Sequence, residues 1–157
     1  FGSIGRTRSL ELSSAGCGDW TVANVTHGLK LNLAGSGDMS SGSAGSAVLK
    51  LSGSGDVRTQ AIHGPLNIIL AGSGDIVAAG VEGPLQVSLA GSGDVVVANG
   101  QATEADLNLA GSGDISFGGS ATSLKARIAG SGDIRVREVT GPVAKAVVGS
   151  GEIHIGS

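Results

Sequence analysis

Apolar and polar positions alternate along short stretches of this chain, as at Leu29, Leu31 and Leu33, at Leu66, Ile68 and Leu70, and at Leu85, Val87 and Leu89. A period of two predicts a strand with one face buried. A second set follows the same rule: Val95 and Val97, Ile115 and Phe117, Ile134 and Val136, Ile153 and Ile155. A third apolar position comes after it, at Val25, Ala44, Ile62, Val81 and Val139. No segment carries a 3.6-residue apolar period, so no helix is predicted.

These strands are punctuated by one motif: AGCGDW at 15–20, AGSGDM at 34–39, SGSGDV at 52–57, then AGSGDI, AGSGDV, AGSGDI, AGSGDI and VGSGEI. Its acids are Asp19, Asp38, Asp56, Asp75, Asp94, Asp114, Asp133 and Glu152, spaced by 19, 18, 19, 19, 20, 19 and 19 residues. Such a period along the whole chain is the mark of a solenoid, in which a repeat buries its apolar face only by stacking on its neighbours. A repeat this short has no room for a strand plus a crossover helix. Pro65, Pro84 and Pro142 each follow a glycine at one corner. That placement leaves the intervening segments free to pair, because proline cannot donate to a ladder. The expected fold is all-β, a right-handed parallel β-helix (solenoid) of eight three-faced coils. Stacked at roughly 4.8 Å, they form a rod near 40 Å long.

The repeated [LIV]-x-[LIV]-A-G-S-G-D-[IV] unit resembles the GIN domain family, described as the head domain of autotransporter adhesins and usually found in exported bacterial proteins. The resemblance covers essentially the whole chain. It implies a β-helix and an exported location, whether periplasmic, cell-surface or extracellular. On this reading residues 1–157 are one β-helix domain, and the opening at Phe1 rather than Met points to a processed or truncated piece of a longer exported protein.

Composition narrows the functional classes. Glycine supplies 29 of 157 residues against only 3 prolines, with aliphatic residues periodically placed, which indicates a turn-rich ordered chain rather than a disordered one. Phe1, Trp20 and Phe117 are the whole aromatic set, so base- or sugar-stacking platforms have almost nothing to be built from. A net charge of −3 with scattered basic residues gives no footprint for nucleic acid or an anionic membrane. No apolar run is long enough for a membrane span. The single cysteine, Cys17, replaces serine in the first motif and excludes an intrachain disulfide.

The most distinctive candidate chemistry is the column of eight acids. Stacked carboxylates repel one another and must be compensated. The reading we favour has each acid accept hydrogen bonds from backbone N–H groups of its own or the next turn, helped by the hydroxyls of Ser36, Ser54, Ser73, Ser92, Ser112, Ser131 and Ser150. The alternative is a Ca²⁺-binding solenoid, since Ca²⁺ takes several oxygen ligands. The nonapeptide calcium roll, however, spaces G-G-x-G-x-D at half this period. No copy continues into a phosphate-binding loop. His27, His63 and His154 have neither clustered partners nor a copy-to-copy repeat, and are expected to be exposed rather than metal ligands. A polysaccharide-active β-helix enzyme would need long loops around a carboxylate groove, and every corner here is short.

Charge is uneven: residues 59–124 hold no Lys or Arg, and the basic residues flank this acidic middle. The polar stretch Arg6-Thr7-Arg8-Ser9 discourages stacking at one end. Ile153-His154-Ile155 has no evident cap, so the C-terminal coil is expected to pair with another copy, a self-association, or with sequence outside this chain. The function expected is therefore a non-catalytic, exported, adhesion-like module that uses no cofactor and contacts an unidentified cell-surface or envelope component.

Overall fold

A computed structural model describes residues 2–4 and 8–156, so Phe1, Arg6 and Thr7 lie outside the described residues. The strands are β1 (Gly2–Ile4), β2 (Leu10–Gly16), β3 (Trp20–Val22), β4 (Val25–Gly35), β5 (Met39–Ser41), β6 (Ala44–Gly53), β7 (Val57–Ile62), β8 (Leu66–Gly72), β9 (Ile76–Gly91), β10 (Val95–Gly111), β11 (Ile115–Gly130), β12 (Ile134–Val139), β13 (Val143–Gly149) and β14 (Ile153–Ile155). The described residues contain no helix, and the strands form a parallel β-solenoid of about 8 turns.

Register follows the repeat. Leu10 pairs with Leu29 and Leu12 with Leu31; Leu66 pairs with Leu85 and Ile68 with Val87; Ile115 pairs with Ile134 and Phe117 with Val136. Each inward position therefore stacks on its own kind, and the columns merge into one continuous apolar core. Burying these side chains is what stabilises each coil on the next, at about 25 cal/mol per Å² of apolar surface removed from water. Volume is balanced within a coil: the one that carries Phe117 has Ala121 and Ala126 at inward positions, and all three are buried.

The three-segment coil expected from the sequence is realised with a difference. In β9, β10 and β11 the chain stays in strand through two of its bends and breaks only at GSGD. Even the Gly83-Pro84 corner lies inside β9, with the bend taken up by Gly83 at φ 139°. The irregular repeat lengths are absorbed well away from the motif: the longest repeat shifts register between Ala102 and Ala105, and the shortest between Ala44 and Ser46, which face Val25 and Gly28 of the coil before. Gly91, Gly111 and Gly130 remain aligned on either side.

The two glycines of each motif have separate physical causes. The first has a positive φ, for example 129° at Gly72 and 131° at Gly91, a region open to glycine and costly for any side chain. The second does not. A Cβ at Gly74 would overlap the carbonyl oxygen of Gly55 and crowd Leu51, so here glycine is required by the approach of one coil's backbone to the next.

Candidate functional site

The GSGD turns stack into one corner of the rod, and the acid column becomes a hydrogen-bonded ladder. The backbone N–H of Asp38 donates to Asp19 Oδ1 at 3.0 Å, that of Asp56 to Asp38 Oδ1 at 3.2 Å, and that of Asp75 to Asp56 Oδ1 at 3.1 Å. The pattern continues through Asp94, Asp114 and Asp133 to the N–H of Glu152, which donates to Asp133 Oδ1 at 3.2 Å. In the return direction each acid's carbonyl from Asp38 on accepts from the coil before it, as in Ile76 N–H to the Asp94 oxygen and Ile115 N–H to the Asp133 oxygen, both 2.9 Å. Each Asp from Asp38 on thus joins its coil to the next through its side chain and to the previous one through its backbone.

Aspartate suits the position because its short side chain spans one coil spacing, and a charged acceptor makes the stronger bond. The same device occurs once with a neutral side chain, where Ser43 N–H donates to Asn24 Oδ1 at 3.0 Å. Glu152, at the last coil, turns instead to His154, whose Nε2 lies 2.9 Å from Oε2. The neighbouring serines do not help as expected. Their backbone N–H groups bond to the glycine carbonyls of the preceding coil, at 3.0 Å for Ser73 to Gly53, while the hydroxyls stay exposed on the turn. Only Ser36 Oγ, among the described residues of that column, engages the protein, donating to Cys17 Sγ at 3.3 Å. The backbone N–H makes the contact with the preceding coil, so the hydroxyl is left over.

The Oδ1 atoms are taken up by the ladder, and the Asp side chains stay at the surface of the rod. Beside them runs a shallow groove at the N-terminal end, bordered by Asp19, Asp38 and Asp56 on one side and by Thr21, Ser40 and Arg58 on the other; between them lie Trp20 and Met39, whose side chains belong to the inward column and pack on the core. Trp20 Nε1–H donates to Ser14 Oγ at 3.0 Å, which fixes the indole in place. Arg58 stands at an outward position that carries small or aliphatic residues in most other coils, and among the described residues it forms no ion pair. Nothing in the repeat singles out this groove, because the charged residue on its far side, Arg58, is a departure from the consensus.

The histidines are not brought together. His63 Nδ1 lies 3.7 Å from Glu82 Oε2 and His154 pairs with Glu152, both on the surface, and His27 is exposed. Among the described residues no three His, Cys, Asp or Glu side chains converge on a point where a metal ion could sit. Among the described residues no helix is long and apolar enough to cross a membrane.

A parallel β-solenoid with short corners, a carboxylate ladder on one edge and no loop-walled cleft defines a class of rod-like repeat domains. Within it, residues 48–157 match the family described as "Putative auto-transporter adhesin, head GIN domain", and the chain belongs to that family. The coils of Asp19 and Asp38 lie outside the matched segment, yet they stack in the same register as the rest. No curated protein and no solved structure matches the chain.

Proposed function

We propose that this chain is a non-catalytic, exported adhesion module: a rod that presents a polar groove near one end to a cell-surface or envelope component. The family's description as an adhesin head supports the class. The groove supports the mode of binding. Its carboxylates on one side face hydroxyls and a single guanidinium on the other, a set suited to a hydroxyl-rich ligand held by hydrogen bonds rather than by ring stacking. The observation that carries this reading is the ladder itself. With one carboxylate oxygen of each Asp committed to backbone, the column is a fixed array rather than a mobile acid cluster, and its carboxylates are preorganised.

Trp20 is the chain's only tryptophan and borders this groove, so its fluorescence reports on the site directly. Titration with a panel of soluble polysaccharides is expected to shift its emission for at least one of them, and Arg58→Ala is expected to weaken that response. A flat titration across the panel argues against a glycan ligand. A thermal melt in millimolar Ca²⁺ and then in excess chelator tests the ladder. The expected midpoint is unchanged, because the ladder satisfies itself; stabilisation that grows with Ca²⁺ concentration, as linkage demands, would instead make the column a cation site.

A further inference from the structure

The strands that precede the motifs, β2, β4, β6, β8 and the later parts of β9, β10 and β11, form one broad face of the rod, and their register lines up three outward columns. The first begins with Glu11 and Lys30, ends with Asp106 and Lys125, and is uncharged between them. The second carries Lys50, Ile69 and Arg127. Ile69 is 37% exposed and lies in β8, the middle strand of this face. The third column is alanine or serine throughout, from Ala15 to Ala129, which lets another surface approach closely. Among the described residues the four charges of the first column form no ion pair, and Asn108 steadies Asp106 by donating from Nδ2 to Oδ1 at 3.3 Å.

The order of charges along this face is self-complementary about Ile69. A second copy laid face to face and antiparallel, related by a two-fold axis along β8, meets each column in reverse: Glu11 opposes Lys125 of the second copy, Lys30 opposes its Asp106, and Ile69 opposes its Ile69. Because Glu11 also neighbours Lys30, and Asp106 neighbours Lys125, within one chain, the four charges form a square of alternating sign, repeated by the symmetry. Other registers fail on charge. Moving the axis half a coil toward the N-terminus sets Glu11 against Asp106, and a whole coil sets Lys50 against itself. Half a coil the other way sets Lys30 against Lys125, and a whole coil sets Lys50 against Arg127. Parallel rods set Lys50 and Arg127 each against its own copy. Like charges directly opposed destabilise a contact, and so they specify the register.

We infer that this face pairs two copies of the chain into an antiparallel dimer with Ile69 on its two-fold axis. Strands stacked at the usual spacing, with a run of outward and inward positions in each, give a face of about 34 Å by 20 Å, or about 700 Å² per copy, close to the ~800 Å² per partner of a specific interface. It is a different surface from the C-terminal coil and involves neither end of the rod. The groove beside Arg58 lies outside it, so the dimer carries two open grooves at its opposite ends.

Sedimentation velocity over a wide concentration range tests this, with circular dichroism to verify the fold. The intact chain is expected to reach the mass of two copies. Ile69→Glu, which sets two carboxylates together at the axis, is expected to run as a monomer, while Val96→Glu, at an equally exposed position (37%) on another face, leaves the dimer intact. Lys30→Glu turns an attractive pair repulsive in each half of the dimer and is expected to weaken it about tenfold; as a change at an exposed lysine, it serves if Ile69→Glu folds poorly. Inverting all four charges together, with Glu11→Lys, Lys30→Glu, Asp106→Lys and Lys125→Glu, is expected to give a dimer that excludes the parent chain on mixing. The inference is overturned if the intact chain stays monomeric throughout the range, if Ile69→Glu and Lys30→Glu both run as the parent does, if Val96→Glu separates the pair as fully as Ile69→Glu, or if the fourfold inversion fails to pair with itself.

Discussion

At the scale of single residues the interior holds one flaw. The column three positions after each acid reads Val22, Ser41, Thr59, Ala78, Val97, Phe117, Val136 and Ile155. Ser41 satisfies itself with the Gly42 carbonyl at 3.3 Å, but Thr59 is 5% exposed and its Oγ1 has no hydrogen-bond partner. Valine has the same shape without the hydroxyl. Thr59→Val is expected to raise stability by about 1–2 kcal/mol, the cost of leaving one buried polar group unpaired, as read from the urea midpoint at unchanged slope. A lower midpoint would mean that the hydroxyl is bonded after all, for instance to a buried water.

The element that most needs explanation is the acid ladder. Each rung has two parts, a hydrogen bond across the coil spacing and a repulsion between neighbouring carboxylates, and substitution separates them. Asp75→Ala removes the acceptor for Asp94 N–H and is expected to cost about 1 kcal/mol, comparable to losing a helix cap. Asp75→Asn keeps an oxygen where Asn24 already shows that an amide suffices, and is expected to be near neutral. Added salt should narrow any difference between wild type and the Asn variant, because screening weakens the repulsion. Equal losses for Ala and Asn would show that charge, not the bond, is what the turn requires. The strands and their inward columns could be read from the sequence because period-two alternation and a 19-residue repeat admit few solutions. That the acid bonds to backbone was also legible. Which of the two turns it reaches, its own or the next, was left open, since spacing along a chain does not say which coil a side chain reaches. Nor could the sequence separate the two glycines of GSGD, one needed for φ and the other for coil-to-coil clearance. The groove beside Trp20 was hidden because it arises from an exception to the repeat.

For the whole molecule, parallel pairing has a mechanical side. The hydrogen bonds of every ladder run along the rod, from coil to coil, rather than around it. Tension applied at the two chain ends therefore loads the coils in series, and the rod should peel one turn at a time instead of shearing as a block. Each released coil of 19 residues would pay out roughly 65 Å of extended chain. Single-molecule pulling is expected to show a sawtooth of small, evenly spaced steps; a single large rupture would mean that the coils yield together. A head domain built this way would act as a shock absorber between a surface and whatever it holds, lengthening under load while its remaining coils stay folded.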